Sequence, residues 1–358
     1  MKILILANND IGLYKFRKEL IVKLLEQHKV FVSLPDGQFV SDLTKLGCTF
    51  IDTKIDRRGM NPINDLSLIK MYLSQIRKVK PDLVITYTIK PNVYGGFAAR
   101  ILHTNYAMNI TGLGTAFQTD NLTKKIACFL YKRATKRAKC VFFENEGNKE
   151  VFMQNGLVKH NQVHVLHGAG VNLEEYTMTA YPADDKVTRF LFIGRVMKEK
   201  GIDEFLNVAE QIKKEKTNVE FDIVGPMEDD YKQRLEELDQ QKIIHYYGFQ
   251  TDVKPFIRNC HCFVLPSYHE GMANTLLECA SMGRPLITSD IYGCKEAVFD
   301  NGYLCKVKNT EDLYIQMNKF LELSYKDKVQ MGINSRKHME AMFDKTKIVK
   351  ETIEWLLR

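Results

Sequence analysis

Short apolar segments alternate with longer amphipathic segments along most of the 358 residues, and this alternation constrains the fold more than any other feature. The apolar segments have the length of buried β-strands, and the amphipathic ones have the spacing of helices with one buried face. Repeated alternation of this kind predicts parallel sheets covered by helices, hence an α/β fold. We expect strands at 2–7, 29–34, 82–87, 140–144, 163–166, 189–194, 219–225, 243–247, 261–266 and 285–289, and helices at 15–27, 66–79, 202–214 and 229–239.

The predicted strands form two series, separated by the polar stretch 181–185. A chain of 358 residues exceeds what one hydrophobic core usually supports, so two domains are expected, at 1–180 and 181–342. The last segment, 343–358, carries Ile348, Trp355 and Leu356 among charged residues, which is typical of a terminal helix with one buried face.

Two glutamates lie around a predicted turn from strand into helix. Glu270 follows the strand 261–266, and Glu278 lies within the helix that begins near Ala273. The free amides and the positive end of such a helix favour an anion such as a diphosphate. Glu270 could then accept hydrogen bonds from sugar hydroxyls, and Glu278 from ribose hydroxyls. Taken alone, such a pair is more often a helix-capping acid and an exposed helix residue.

The spacing Glu270-x7-Glu278, followed by Gly283-Arg284-Pro285, resembles the signature of group 1 (family 4) retaining glycosyltransferases. The resemblance implies the GT-B fold, in which two Rossmann-like domains with parallel sheets face a central cleft. It also implies that the terminal helix crosses back to the N-terminal domain. The donor-binding residues that it implies in this turn and helix are Glu270, Gly271, Met272, Ala273, Asn274, Thr275, Leu276 and Glu278.

A second motif follows the predicted strand 189–194. Gly194, Arg195 and Lys200 resemble the strand and basic loop with which this family binds the donor diphosphate. A nucleoside diphosphate leaves with a more concentrated negative charge than it brought, and fixed cations stabilise that charge. We therefore expect Arg195, Lys200 and Glu270 to be catalytic. In an ordinary surface loop, an arginine and a lysine at this spacing would be a solvated pair.

The N-terminal series is expected to bind the acceptor. Gly12, in the first turn from strand to helix, resembles the family's first glycine-rich loop and would allow close approach to the donor. The loop has one glycine where the family has a pair. Tyr87 and Thr111 stand where many relatives have histidines, which puts a histidine-assisted role in doubt.

Lys90 and Asn92 belong to a loop that resembles the branch of the family building bacterial capsule, O-antigen and lipid-linked oligosaccharides. The acceptor-binding residues that the resemblance implies are Tyr87, Lys90, Asn92, Thr111, Arg57 and Arg58. Arg57 and Arg58, ahead of a helix, fit the same branch. The resemblance implies that Lys90 and both arginines contact a lipid diphosphate, with an ordinary solvated loop an equal alternative for each arginine.

The activity that the resemblance implies is transfer of a hexosyl or N-acetylhexosaminyl group, with retention, from a UDP-sugar to a saccharide on undecaprenyl diphosphate. The leaving phosphate would take the acceptor proton, and no metal is expected, because cationic side chains and amides replace it. The alternatives are a sugar-nucleotide epimerase of the same fold and a non-catalytic protein that binds nucleotide-sugars. A nicotinamide enzyme is disfavoured because the first loop lacks Gly-x-Gly-x-x-Gly.

The net charge of +7 is concentrated in part in the segment 122–139, which carries seven lysines and arginines beside Ile126, Phe129 and Leu130. Such a helix suits anionic lipid headgroups, and an ordinary amphipathic helix packed on the sheet is the equal alternative. Nucleic-acid binding is not expected, because no known binding motif is present.

No apolar stretch approaches the roughly 20 residues of a membrane-spanning helix, and no cleavable signal is recognisable. A cytoplasmic protein, peripheral on the inner membrane, is therefore expected. Eight scattered cysteines indicate reduced core thiols, and Cys260-His261-Cys262 is a weak candidate for zinc because no second ligand pair lies near it in sequence.

Overall fold

The computed structural model describes residues 1–56, 62–114, 117 and 122–358. The chain divides into two compact units, Met1–Ala169 with Lys345–Arg358, and Gly170–Asp344. The segment 170–180, which we had expected in the first domain, belongs to the second unit. Val171 donates its amide hydrogen to the Phe343 carbonyl over 2.8 Å, and the buried Arg284 guanidinium donates to Thr179 Oγ1 over 2.7 Å.

The first unit contains a seven-stranded parallel sheet in the order β3-β2-β1-β4-β5-β6-β7. Strand β1 lies between β2 and β4, and its side chains alternate between two separate core clusters. Ile3 and Ile5 belong to one cluster, whereas Leu4 and Leu6 belong to the other, so both faces of the sheet are covered. The strands are β1 (Lys2–Leu6), β2 (Lys29–Leu34), β3 (Thr49–Asp52), β4 (Leu83–Tyr87), β5 (Asn105–Ile110), β6 (Cys140–Phe143) and β7 (Val163–Val165).

The helices of this unit cover the two faces of its sheet. A π-helical turn, Pro91–Gly95, leads directly into the fourth helix. The helices are α1 (Asp10–Leu25), α2 (Val40–Lys45), α3 (Pro62–Val79), α4 (Gly96–Ile101), α5 (Leu122–Ala134) and α6 (Glu146–Gln154).

The second unit contains a six-stranded parallel sheet in the order β10-β9-β8-β11-β12-β13. Its strands are β8 (Thr188–Ile193), β9 (Val219–Val224), β10 (His245–Tyr246), β11 (Cys262–Leu265), β12 (Leu286–Ser289) and β13 (Gly302–Cys305). Its helices are α7 (Ile202–Glu215), α8 (Lys232–Gln240), α9 (Lys254–Asn259), α10 (Asn274–Ser281), α11 (Thr310–Glu322) and α12 (Tyr325–Met342).

Three strands, β3, β5 and β13, are absent from the predicted set. The strands β3 and β13 lie at the edges of the two sheets. Each has only four residues, and β13 begins with Gly302, a poor strand former. The sheet requires this glycine, because a Cβ at Gly302 would lie 1.9 Å from the Leu286 carbonyl oxygen. A tertiary contact, rather than a local pattern, therefore determines this strand.

The C-terminal helix α13 (Lys345–Leu357) belongs to the first unit and packs against α1. Ile348 and Leu356 join one of the core clusters of that unit. The Trp355 ring stacks on His164, with ring centroids 4.3 Å apart. The helix thus completes the hydrophobic covering of the first sheet.

Candidate active site

The loops that follow β8 and β11 lie side by side, because these strands are parallel neighbours in the second sheet. Gly201 ends the loop after β8 with a φ of +73°, and a Cβ there would lie 2.1 Å from the Pro266 carbonyl oxygen. The amide of Tyr268 also donates to the Glu199 carbonyl over 2.9 Å. Only glycine allows this close approach, which fixes the basic loop against the loop that carries Glu270.

Lys200 and Glu270 form an ion pair between the Nζ and Oε1 atoms. Their side chains are 18% and 11% exposed, so the contact is shielded from most solvent screening. Ser267, which is fully buried, donates from Oγ to the same Glu270 oxygen over 2.8 Å. Two of the three predicted catalytic residues therefore lie in direct contact.

Arg195 lies two residues beyond the end of β8, and its Nη1 pairs with Glu228 Oε2 at 2.8 Å. Its side chain is 45% exposed, and screening therefore weakens this contact. Gly194 precedes it, and its carbonyl oxygen would lie 1.8 Å from a Cβ at Gly225, so the ends of β8 and β9 approach closely. Glu228 was not predicted, because nothing local in the sequence joins it to Arg195.

Helix α10 begins at Asn274, as the turn-to-helix pattern predicts, and the amide of Ala273 donates to the Gly293 carbonyl over 2.9 Å. Asn274 Oδ1 is buried and has no hydrogen-bond partner among the described residues. An unpaired buried oxygen at a helix N-terminus is costly, and a ligand donor would offset that cost.

The predicted donor-binding residues of this turn are mostly buried. Met272 and Ala273 are 5% and 4% exposed, and Leu276 is wholly within the core. Gly271 packs against Gly293, since a Cβ added at Gly293 would lie 2.5 Å from the Gly271 carbonyl oxygen. The side chain of Thr275 is half-buried. The side chains of Met272, Ala273 and Leu276 therefore lie in the core, and the amides of Ala273 and Leu276 donate to the carbonyls of Gly293 and Ala273.

Glu278 lies on α10 beside Tyr176, whose hydroxyl donates to the carboxylate. Burial raises the pKa of Tyr176, and the negative charge of Glu278 raises it further. Lys254 Nζ lies 5.6 Å from the centroid of the same ring. The half-buried Glu278 is thus held in a polar cluster rather than exposed to solvent on the helix.

Two residues beside Glu270 were not identified from the sequence. The Tyr268 hydroxyl lies 2.9 and 3.0 Å from the two carboxylate oxygens of the buried Glu204, which connects the Glu270 loop to α7. Burial lowers the pKa of His269, while the neighbouring Glu270 opposes that change. The only local signal was their position next to Glu270.

The predicted acceptor residues lie in the first unit. Lys90 Nζ forms an ion pair with Asp65 Oδ1 at 2.9 Å. Asn92 is 1% exposed, and both ends of its amide are engaged within the protein. It accepts from Thr86 Oγ1 over 2.6 Å and donates to the Asn109 carbonyl over 2.8 Å, which ties β4 to β5. These contacts fit a structural role for Asn92.

Gly12 lies in the first turn of α1, where its amide donates to Asn9 Oδ1 over 2.6 Å. A Cβ there would lie 2.9 Å from the same oxygen, so the glycine accommodates the helix cap. Thr111 follows β5 and is half-buried. Arg57 and Arg58 lie outside the described residues.

His261 lies between two cysteines in the second unit and is 4% exposed. Its Nδ1 accepts a hydrogen bond from the Arg189 amide over 3.1 Å, and burial lowers its pKa. Burial also raises the pKa of Cys260 to about 12. Within residues 1–56, 62–114, 117 and 122–358, no cluster of three or more acidic, histidine or cysteine side chains is arranged to hold a metal.

Helix α5 packs on the first unit along one side and leaves apolar side chains exposed on another. Tyr131 and Ala134 are buried against the first unit. Leu122, Ile126 and Phe129, spaced along one face of the helix, are 71%, 51% and 58% exposed. No helix in the described parts of the chain is long and apolar enough to cross a membrane.

Two family models match the chain. Residues 175–338 match "Glycosyl transferases group 1", and residues 2–145 match "Glycosyl transferase 4-like". The chain is also 30% identical over 342 residues to N,N'-diacetylbacillosaminyl-diphospho-undecaprenol alpha-1,3-N-acetylgalactosaminyltransferase of Campylobacter jejuni, covering 90% of both chains. The chain belongs to the group 1 glycosyltransferases. It is therefore an enzyme of glycosyl transfer, as the two motifs predict.

Another relative acts on a lipid-linked saccharide. The chain is 28% identical over 280 residues to the UDP-Gal:alpha-D-GlcNAc-diphosphoundecaprenol alpha-1,3-galactosyltransferase of Escherichia coli, covering 72% of this chain and 68% of that one. Among solved structures, Anabaena Alr3699/HepE in complex with UDP and glucose matches with a TM-score of 0.80 and 17% identity, over 99% of this chain and 98% of that one. The predicted GT-B class, with two Rossmann-like domains, is confirmed.

Proposed function

We propose that this glycosyltransferase moves a hexosyl or N-acetylhexosaminyl group from a UDP-sugar to a saccharide on undecaprenyl diphosphate, with retention of anomeric configuration. The contact between Lys200 and Glu270 carries the proposal, because it joins a cation for the diphosphate to a carboxylate for the sugar. The named acceptors of the two relatives support an undecaprenyl diphosphate carrier. The donor named for the Escherichia coli relative supports UDP.

The cations of this site change partners when a donor binds. Lys200 and Arg195 are each paired with a carboxylate, Glu270 and Glu228 respectively. A diphosphate brings two negative charges that compete for both cations, and the sugar hydroxyls then donate to Glu270 in place of Lys200. The diphosphate gains charge as the glycosidic bond breaks, so both cations bind the transition state more strongly than the ground state.

Retention follows if acceptor and leaving group share one face of the sugar. The acceptor hydroxyl attacks the anomeric carbon from the side that the diphosphate leaves, and the phosphate oxygen takes its proton. Glu270 positions the sugar in this scheme and forms no covalent bond to it. The two glutamates serve different ends of the donor, because Glu278 lies deeper along α10 beside Tyr176.

Binding and transfer are tested together in Lys200→Ala and Glu270→Ala variants. We expect UDP and one UDP-sugar to raise the melting temperature of the wild type more than GDP, GDP-mannose or NAD, because only the folded state binds them. Each variant is expected to lose most transfer. Lys232→Ala, which removes a solvent-exposed lysine from α8, is the matched control.

Turnover at the wild-type rate in Lys200→Ala or Glu270→Ala would contradict the roles assigned to these residues. A UDP-sugar that raises the melting temperature without any transfer would favour the non-catalytic alternative. Conversion of the UDP-sugar to its epimer would favour the epimerase.

We further propose that the protein works at the cytoplasmic face of the inner membrane and docks there through α5. The exposed Leu122, Ile126 and Phe129 can enter the lipid interface, while Lys125 and Lys132, also exposed, meet anionic headgroups. Docking of this kind would bring the enzyme to a lipid-anchored acceptor. Phosphatidylglycerol vesicles should sediment the wild type, and phosphatidylcholine vesicles should not.

The double variant Ile126→Ser, Phe129→Ser is expected to stay in solution with vesicles of either composition and to keep its melting temperature, because both side chains are more than half exposed. Equal sedimentation of wild type and variant would contradict docking through this face.

A further inference from the structure

Tyr87, the last residue of β4, is 4% exposed, and its hydroxyl has no hydrogen-bond partner among the described residues. A buried hydroxyl without a hydrogen-bond partner destabilises the folded state. Burial raises the pKa of Tyr87, so this hydroxyl is neutral and can both donate and accept a hydrogen bond. The cost is recovered if a ligand supplies the missing partner.

Thr88, the next residue, adds a second hydroxyl of the same kind. Its Oγ1 is buried and likewise has no partner in the described part of the chain. Its φ is +71°, a conformation that is unusual for a β-branched side chain. Strained residues of this kind cluster at functional sites, where the surrounding structure holds them in place.

An ion pair that is largely shielded from solvent lies against Tyr87. Arg17, from α1, places its guanidinium carbon 5.1 Å from the centroid of the tyrosine ring. The same guanidinium binds Glu144, which follows β6, with Nη2 and Oε1 2.5 Å apart and both side chains 11% exposed. The carboxyl ends of β4 and β6 and one face of α1 therefore present hydroxyl, guanidinium and carboxylate groups together.

We infer that Tyr87, Thr88, Arg17 and Glu144 form a subsite that binds the hydroxyl groups of the acceptor saccharide. The inference rests on the proposed function, since it names the part of the acceptor that this unit recognises. The ion pair is formally neutral, so it suits an uncharged saccharide better than the diphosphate of the carrier lipid. Sugar hydroxyls both donate and accept, which matches hydroxyl groups without partners beside a carboxylate and a guanidinium.

The conservative variant Tyr87→Phe tests this subsite, because it removes only an oxygen that no described residue binds. Tyr72→Phe is the matched control. Tyr72 is fully buried in a core cluster of the same unit, and its hydroxyl also has no partner among the described residues. Neither variant should lower the melting temperature, since neither loses a described hydrogen bond.

Transfer is measured with a UDP-sugar donor and with two acceptors, GlcNAc and N,N'-diacetylbacillosamine, each linked through diphosphate to undecaprenol. We expect Tyr87→Phe to raise the acceptor KM about three- to tenfold, as for one lost hydrogen bond, with the donor KM unchanged. Tyr72→Phe should change neither KM. Thr88→Val, which keeps the branched shape, should act in the same direction as Tyr87→Phe.

An acceptor KM for Tyr87→Phe within twofold of wild type overturns the subsite, as does an equal rise in the donor KM. In both cases transfer by the wild type leaves the proposed function standing. A wild-type protein that neither binds nor glycosylates any of these saccharides overturns the subsite and the proposed function together.

Discussion

The substitution Gly201→Ala separates the placement of Lys200 from its charge. An added Cβ would lie 2.1 Å from the Pro266 carbonyl oxygen. The two loops must then separate by more than about 1 Å to reach ordinary van der Waals contact. Lys200 precedes Gly201 and moves with it, away from Glu270. A displacement of this size in a catalytic constellation costs about 100-fold in rate.

The same substitution is also expected to lower the free energy of unfolding. Alanine in the left-handed conformation costs about 1–2 kcal/mol, and the forced contact adds about 1–3 kcal/mol. Gly156→Ala is the control, because Gly156 has a φ of +60° with no neighbouring atom within 4 Å of its added Cβ. The Gly156→Ala variant should lose only the stability that alanine costs in the left-handed conformation, and it should keep wild-type activity.

Urea unfolding and kcat/KM for the UDP-sugar measure the two effects separately. The expected result is a roughly 100-fold lower kcat/KM for Gly201→Ala, and a larger loss of stability than for Gly156→Ala. If both variants keep wild-type kcat/KM and lose equal stability, close contact between the two loops does not position Lys200.

Two other variants test the electrostatics of the second unit. Glu228→Gln releases Arg195 from the carboxylate that competes with the donor diphosphate. The donor KM should fall by up to about fivefold, because a half-exposed ion pair is worth at most about 1 kcal/mol. An unchanged or raised donor KM would contradict this competition. His261 has a lowered pKa in the folded state, so the unfolded chain binds more protons as pH falls below about 6.5. The free energy of unfolding of the wild type should therefore fall between pH 7.5 and pH 5.5, and the fall should be smaller in His261→Gln. If the free energy of unfolding changes equally with pH in both proteins, other groups cause the pH dependence.

The sequence predicted those parts of the fold that local patterns determine. Buried strands such as β1 and β8 have apolar residues at nearly every position, and the helix after Gly201 carries a clear amphipathic pattern. The edge strands β3 and β13 lack such a signal, because four residues with mixed burial resemble a loop.

The residues of the candidate site also divide into those that the sequence predicts and those that only the structure brings together. Lys200 and Glu270 were identified by their motifs, and their contact depends on parallel pairing of β8 with β11. The pair between Arg17 and Glu144 joins residues 127 positions apart, and neither lies in a recognisable motif. Asn92 belongs to a loop predicted to bind the acceptor, and its amide also binds Thr86 and Asn109 within the protein, contacts that no local pattern indicates.

The most direct test of the account is the structure of the product formed by wild-type protein from an α-linked UDP-sugar and GlcNAc-diphospho-undecaprenol or N,N'-diacetylbacillosaminyl-diphospho-undecaprenol. Mass spectrometry should show the addition of one hexosyl or N-acetylhexosaminyl group, and proton NMR should show an α linkage. A β linkage would contradict retention and the role of the leaving phosphate. No addition with any UDP-sugar, beside turnover with a GDP-sugar, would contradict the proposed donor.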